Sequence, residues 1–273
     1  MVTPAGDVRK DVYPSYPDIR KPARSSRWFD PAMKIELFNV GWLTVPAGIV
    51  RRGDDLDRAV RFPVPAYLIE TDTERILVDT GLHPAAVTDP AARYGRADAL
   101  GPFVPEQEKS IADQVDLGTI TMVVMTHLHF DHTGGLELVP PEVPLVIQRA
   151  EWDAGQDAAA IARNFFLPRD YAATDRAVRL VDGDHDLLGD GSVVLLQTPG
   201  HTPGHQSVRV GYVVLGGDVT HFATGLDDHR FPVFGDHAAQ GQSAERLRQL
   251  RDTGHTVLPG HDPEVLRPGP VAA

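Results

Sequence analysis

Cysteine is absent from this chain of 273 residues. Its absence excludes disulfide bonds, thiolate ligands for zinc and a cysteine nucleophile, so any catalysis must use oxygen, imidazole or metal chemistry. Lysine occurs at only four positions, and the sequence contains neither a phosphate loop ending in Gly-Lys-Ser or Gly-Lys-Thr nor a Gly-x-Ser-x-Gly elbow. These absences argue against a nucleotide hydrolase and a serine hydrolase.

Long hydrophobic runs are absent as well. The apolar run at 120–125 is far shorter than the roughly 18 residues that span a bilayer, and the first thirty residues lack the apolar core of a secretory signal. We therefore expect a cytoplasmic protein without a membrane partner. A formal net charge of −12 repels phosphate backbones, which disfavours a nucleic-acid partner.

The remaining composition is that of a globular protein with a full core, at 42% hydrophobic and 23% charged residues. Residues 1–32 show no sustained period and predict an extended arm, whereas 33–273 predict one domain. Strands that alternate with helices in two successive halves predict an α/β (α+β) fold, with two packed sheets covered by helices. The patterns predict strands at 34–40, 66–71, 75–78, 120–126, 144–148, 178–181, 192–197, 206–215 and 256–258, and helices at 105–114, 149–166 and 243–251.

The strongest local signal is the run THLHFDH at 126–132, directly after a buried strand. Residues two apart in extended backbone project to the same side, so His127 and His129 can reach one ion. A turn then re-aims Asp131 and His132 toward a second ion. Four ligand-type side chains in six positions are costly to bury without a partner, which favours a metal site over a merely polar loop.

Three further residues complete the predicted site, each in a turn next to a predicted strand. His201 lies in TPGHTPGH at 198–205, Asp218 follows two glycines, and His261 follows Pro-Gly. Together with the run at 126–132, they supply five histidines and two aspartates, enough for two metal ions if one carboxylate bridges. Nitrogen and oxygen ligands suit Zn²⁺, and also iron, manganese or cobalt.

These motifs resemble the metallo-β-lactamase superfamily over about residues 34–265. Within it, ILVDTG at 76–81, THLHFDHTGG at 126–135 and TPGHTPGHQS at 198–207 most resemble the N-acyl homoserine lactonases. The resemblance implies a four-layer αβ/βα sandwich with a dinuclear site at the sheet edge. Class B β-lactamases commonly use a cysteine ligand, so the missing cysteine disfavours that branch.

The resemblance also implies a mechanism for a metal-dependent hydrolase. Two divalent ions would lower the pKa of a bridging water, and the resulting hydroxide would open the lactone ring of an N-acyl homoserine lactone, with Asp131 helping to move the proton. The implied ligands are His127, His129 and His201 for one metal and Asp131, His132 and His261 for the other, with Asp218 bridging.

Other residues receive roles around that site. The resemblance suggests that Asp79 orients a ligand imidazole, and that His205 is a supporting residue rather than a ligand. His221 stands three residues after Asp218, where such lactonases usually place a tyrosine that contacts the substrate carbonyl. A catalytic imidazole there can keep that role, alter its pH dependence or indicate another substrate. The candidates for an apolar acyl pocket are Phe130, Phe165, Phe166 and Phe222.

Alternative functions stay open at this point. The same site could hydrolyse another lactone, an ester, a thioester or a phosphotriester, because metal ligands alone do not separate these substrates. A nucleic-acid-processing member of the superfamily is disfavoured by charge, and a protein that keeps metal only for stability is a third alternative. The sequence also leaves open whether the chain forms a homodimer.

Overall fold

Two β-sheets form the centre of the computed structural model, which describes residues 33–172 and 175–272. The predicted arm at 1–32 lies outside the described residues. The strands are β1 (Lys34–Pro46), β2 (Ala59–Glu70), β3 (Arg75–Val78), β4 (Val104–Glu106), β5 (Met122–Val124), β6 (Leu145–Gln148), β7 (Val178–Val181), β8 (His185–Asp186), β9 (Val193–Gln197), β10 (Gln206–Val210), β11 (Val213–Leu215), β12 (Thr256–Leu258) and β13 (Gly269–Val271).

Both sheets mix parallel and antiparallel pairs. The first has the order β13-β1-β2-β3-β5-β6-β7, with β4 paired to β1, and its strands from β3 to β7 run parallel. The second has the order β12-β11-β10-β9-β8, in which only β11 and β12 are parallel. Parallel strands bring their carboxyl ends to one edge of a sheet, where loops can carry functional residues.

Helices are short except for the last. The 16-residue α8 begins after Asp236, whose side chain accepts hydrogen bonds from the amides of Ala238 and Ala239. The helices are α1 (Ala47–Val50), α2 (Pro84–Thr88), α3 (Pro90–Tyr94), α4 (Phe130–Thr133), α5 (Arg149–Ala154), α6 (Ala158–Asn164), α7 (Gly225–Asp228) and α8 (His237–Asp252).

Side-chain alternation along the strands separates three apolar clusters. In β9, Val193 and Leu195 pack between the two sheets, whereas Leu196 packs on the outer face against Ala244 and Leu247 of α8. In β3 the same alternation places Ile76 and Val78 between the sheets and Leu77 on the opposite, outer face. The layers are therefore helix, sheet, sheet and helix, as predicted for the αβ/βα sandwich.

The largest error in the predicted elements is the helix at 105–114. Pro105 and Glu106 instead belong to β4, which pairs with β1, and only a 3-10 turn at Ile111–Asp113 is helical. Oδ2 of Asp113 accepts hydrogen bonds from the amide and the hydroxyl of Ser110, which fixes the start of that turn. Edge pairing, which depends on distant residues, outweighs the local helical pattern here.

Smaller differences concern boundaries. The predicted strand at 206–215 is a hairpin that turns at Gly211. The φ of 54° at this position is one that glycine adopts more readily than other residues. The last helix begins at His237 rather than at Ser243, and the short strands β8 and β13 escape prediction. Within the described residues, no helix is long and apolar enough to cross a membrane.

Candidate metal centre

All seven predicted metal residues lie in loops or short helical turns that follow strands. The run at 126–132 follows β5, His201 follows β9, Asp218 follows β11 and His261 follows β12. Every one of the seven is at most 8% exposed. The strand ends thus bring residues that are far apart in sequence to one buried place.

The first group contains His127, His129 and His201, with Asp218 beside them. Nε2 of His127 and Nε2 of His201 each lie 3.0 Å from Nδ1 of His129. Oδ2 of Asp218 lies 3.2 Å from Nε2 of His201. One ligand-type atom from each of these four side chains lies within 4.8 Å of the others.

The second group contains Asp131, His132 and His261, whose ligand-type atoms also lie within 4.8 Å of one another. Oδ1 of Asp218 lies 3.5 Å from Nε2 of His132 and 3.2 Å from Nε2 of His261. Asp218 therefore contacts both groups: Oδ1 lies near His132 and His261, and Oδ2 lies near His201 and also 3.3 Å from Nε2 of His261. This is the position expected for a shared carboxylate. Gly260 permits this approach, because a Cβ there would lie 2.3 Å from Oδ1 of Asp218.

Asp79 stands behind both groups, as the sequence suggested. Its Oδ2 lies 2.7 Å from Nδ1 of His132 and accepts a 2.7 Å hydrogen bond from Oγ1 of Thr126. Because that hydroxyl donates to Asp79, it accepts from Nδ1 of His127, 3.0 Å away. Both imidazoles then carry their proton on Nδ1 and present the lone pair of Nε2 to the centre.

Two backbone carbonyls orient two more imidazoles. Nε2 of His129 lies 2.9 Å from the carbonyl of Asn164, and Nδ1 of His261 lies 2.9 Å from that of Pro63. A carbonyl only accepts, so each facing nitrogen carries the proton and the other nitrogen presents a lone pair to the centre. Sequence reasoning missed both contacts, because a main-chain acceptor leaves no residue-type signal.

The electrostatics of the two groups differ. Burial, followed by the neighbouring His132 and His129, lowers the pKa of His127 well below its usual value. Burial also lowers the pKa of His132, but the negative fields of Asp218, Asp79 and Asp131 outweigh it and raise that pKa well above its usual value. The first group thus consists of neutral imidazoles, whereas the carboxylates favour positive charge around the second.

The ionisation of Asp218 depends on the imidazoles around it. Burial alone would raise the pKa of its carboxyl, but the imidazoles of His261, His132 and His221 lower that pKa well below its usual value. An ionised, almost fully buried carboxylate requires compensating positive charge.

The donor set fits metal ions. Four imidazoles present lone pairs toward one another and toward the carboxylates of Asp131 and Asp218, an arrangement that is repulsive unless cations lie between them. Within the described residues, Nε2 of His132 and Oδ1 of Asp218 are buried and have no hydrogen-bond partner. A bound ion would supply the missing partner of both atoms.

Glu151 is a buried residue that sequence reasoning missed. Its Oε1 accepts a 2.9 Å hydrogen bond from the amide of Leu128, and its Oε2 accepts a 2.8 Å bond from the amide of Gly204. One carboxylate in α5 thereby joins the loop that carries His127 and His129 to the loop that carries His201. Burial raises the pKa of Glu151 to about 7, against the opposing hydrogen bonds from those two amides. A single glutamate after a strand has no distinguishing pattern.

His205 is buried but fully occupied. Its Nε2 accepts a 2.9 Å hydrogen bond from the amide of Asp218, and its Nδ1 lies 3.1 Å from the carbonyl of Thr198. Both ring nitrogens are used within the protein. His205 therefore supports the loop of Asp218, in line with its predicted supporting role.

A cavity of about 440 Å³ opens onto the centre. Its polar end contains Asp131, Asp218 and His221. Phe130 and Phe165 line this cavity, as predicted. The prediction was wrong for Phe166 and Phe222, which pack in or against the core. The apolar side chains along its walls include Ile49, Phe62, Leu100, Phe103, Val233 and Phe234.

Known proteins resemble this chain in sequence and in fold. A sequence model of the metallo-beta-lactamase superfamily matches residues 59–261. A Bacillus cereus protein named N-acyl homoserine lactonase is 31% identical over 219 residues, which cover 75% of this chain and 83% of that protein. The Azorhizobium caulinodans protein named N-acyl homoserine lactonase AttM is 29% identical over 218 residues, covering 74% of this chain and 82% of that protein.

A solved structure is similar over most of its length. It is described as an N-acyl homoserine lactone hydrolase with the product N-hexanoyl-L-homoserine bound at the catalytic metal center. Its TM-score is 0.74 at 26% identity, and the match covers 85% of this chain and 94% of that chain.

Proposed function

This chain belongs to the metallo-beta-lactamase superfamily, and we propose that it is a dinuclear metal-dependent hydrolase that opens the lactone ring of N-acyl homoserine lactones. The observation that carries the proposal is the joining of two histidine and aspartate groups by Asp218 at the polar end of an apolar cavity. The relatives' names and the product bound in the similar structure support the same substrate class.

The metal assignment follows from the facing atoms. One ion would be held by His127, His129 and His201, and the other by Asp131, His132 and His261, with Asp218 shared between them. Nitrogen and oxygen donors without sulfur suit Zn²⁺, and they also accept iron, manganese or cobalt. When bound, the two ions supply Lewis acidity and a hydrolytic water of lowered pKa.

Asp131 is the carboxylate that would transfer the proton of the attacking water. Asp131 lies at the cavity surface, with Oδ2 3.6 Å from Nε2 of His261. A carboxylate that faces the cavity can accept a proton from the attacking water and pass it to the alkoxide that leaves as the ring opens. Asp79 and the carbonyl of Pro63 meanwhile hold His132 and His261 in the tautomers that face the centre.

The cavity fits an amphiphilic substrate. The lactone ring is polar and would lie at the end formed by Asp131, Asp218 and His221. An acyl chain would extend along the aromatic and aliphatic wall, where Phe165 and Val233 are 62% and 50% exposed. Exposed apolar side chains at a cavity mouth are typical of a ligand site rather than of a core.

A substrate panel tests the proposal. Purified protein of known metal content is assayed for ring opening of short- and long-chain N-acyl homoserine lactones, and in parallel against aryl esters, thioesters and phosphotriesters. We expect the highest kcat/KM on the homoserine lactones. Absence of lactone turnover by protein that carries two ions per chain would contradict the proposal. A preference for another ester would assign the enzyme to a different substrate class.

A further inference from the structure

His221 occupies a fixed position beside the shared carboxylate. It is 6% exposed, and its ring stacks on Phe62 with centroids 6.1 Å apart and an interplanar angle of 20°. Its carbonyl accepts a 2.8 Å hydrogen bond from the amide of His261. The ring is therefore held by packing and main-chain contacts rather than free to swing into the cavity.

The two nitrogens of His221 face different partners. Nδ1 lies 3.2 Å from the carbonyl of Val50, and Nε2 lies 3.0 Å from Oδ2 of Asp218. Because a carbonyl only accepts, Nδ1 carries the proton, and in a neutral ring Nε2 then has a lone pair. That lone pair would face a carboxylate oxygen, which is repulsive unless a positive charge accompanies the contact: either a second ring proton on Nε2 or a metal ion that both atoms bind.

His261 makes the same pair of contacts. Its Nδ1 faces the carbonyl of Pro63, and its Nε2 lies 3.3 Å from Oδ2 of Asp218. One ligand-type atom from each of Asp218, His221 and His261 lies within 4.8 Å of the other two. His205 is the contrasting case, because a backbone amide already donates to its Nε2.

We infer that His221 is itself a metal ligand, binding through Nε2 the ion shared by Asp218 and His261. This inference rests on the proposed dinuclear function and deepens it. Lactonases of this type usually have a tyrosine at this position, placed to contact the substrate. In this chain the imidazole of His221 would instead be a sixth histidine ligand. Metal binding, and not only turnover, would then depend on His221.

The most direct experiment counts the histidines that bind metal. The full-length protein is labelled with ¹⁵N-histidine, loaded with two equivalents of ¹¹³Cd, and examined for scalar coupling between cadmium and imidazole nitrogens. We expect six coupled imidazoles, including His221 through Nε2, and no coupling to His205. Five coupled imidazoles, with both nitrogens of His221 carrying protons, would overturn the inference and leave His221 as a charged donor to Asp218.

Two variants provide a second readout. In His221→Gln and His221→Tyr, we expect zinc affinity at one of the two positions to fall by at least about tenfold, because even residues that only orient a ligand have effects of that size. Affinities within twofold of the wild type would overturn the inference. If a variant fails to fold, the wild-type coupling count still decides the matter.

Failure of the proposed function is distinguishable from failure of this inference. Ring opening of an N-acyl homoserine lactone is measured on the wild-type zinc protein from the same preparation. Its absence contradicts the proposed function, whatever the number of coupled imidazoles. Turnover with five coupled imidazoles contradicts only the role of His221.

Discussion

Behind the metal centre, Asp79 and Glu151 have both carboxylate oxygens hydrogen-bonded, and His205 has both ring nitrogens occupied. On the cavity side, Asp131, Asp218 and the lone pairs of the histidines face one another without donors between them. The first set, the back of the centre, is satisfied by protein alone. The second set, the front, is repulsive unless cations are present. Aspartate and histidine therefore have two uses here: at the back they hold other residues in place, and at the front they face the metal sites.

Removing the shared carboxylate should have the largest effect. Asp218→Asn keeps the size of the side chain but removes the charge that both groups face, so we expect loss of both ions and a fall in kcat/KM on the order of 10⁴-fold. Elemental analysis and lactone assays measure the two effects. The control is Asp170→Asn, which alters a buried ion pair with Arg93 and should cost stability while keeping two ions per chain. Retention of both ions by Asp218→Asn would show that the front needs no shared charge.

The proton-handling residue gives the next largest effect. Asp131→Asn should lower kcat by about 10²- to 10⁴-fold, the range for loss of a general acid or base, and weaken the second ion more than the first. Stopped-flow turnover at saturating metal separates the two effects. A kcat that recovers fully with added metal would restrict Asp131 to metal binding.

At the back of the centre, Glu151→Gln tests positioning. Glutamine replaces one carboxylate oxygen by an NH2 group, which cannot accept a hydrogen bond. One of the two loops therefore loses its hydrogen bond to residue 151. We expect zinc affinity to fall about 10- to 100-fold, with kcat largely restored at saturating zinc. Glu137→Gln is the matched change outside the metal centre, since the half-exposed Glu137 pairs with Arg93 and Arg169. Zinc affinity equal to that of the wild type would mean that Glu151 supports only the fold.

The same residue predicts a pH effect on stability. Because burial raises the pKa of Glu151 to about 7, the folded protein holds this proton more tightly than the unfolded chain, whose carboxyl titrates near 4.3. Its contribution to stability is present at low pH and is lost as pH rises toward 7. In metal-free protein, the free energy of unfolding of the wild type minus that of Glu151→Gln should fall by about 1.4 kcal/mol for each pH unit between about 5 and 7. Denaturant titrations that give a constant difference would contradict the burial argument.

The smallest effect concerns the mouth of the cavity. Phe165 is 62% exposed, so Phe165→Ala should leave the free energy of unfolding nearly unchanged. It should raise KM several-fold for long-chain lactones only. Phe166→Ala, one position along, removes a buried ring and should destabilise the fold by about 3 to 5 kcal/mol. An equal effect of Phe165→Ala on short and long acyl chains would remove it from the proposed acyl wall.

The sequence predicted the front better than the back. His127, His129, Asp131 and His132 form one short run, and a Pro-Gly turn precedes each of His201 and His261, so residue type and spacing single these residues out. Glu151 and the carbonyls of Asn164 and Pro63 lie far from that run or act through the main chain. They become visible only when the strands have been placed.

The fold shows the same division. β3, β7 and β12 match the prediction residue for residue, because buried β-branched runs between turn residues are locally distinctive. The helix predicted at 105–114 failed because its first residues pair with β1, more than fifty positions earlier. Pairing at such separation is decided by tertiary contacts rather than by local pattern.

A metal titration tests the central claim most directly. Zinc is added in steps to metal-free, full-length protein while the opening of N-hexanoyl homoserine lactone is followed at constant pH. We predict no turnover without metal and a rate that reaches its maximum at two zinc ions per chain. A rate that chelation does not reduce, or that reaches its maximum at one ion per chain, would contradict a dinuclear hydrolase.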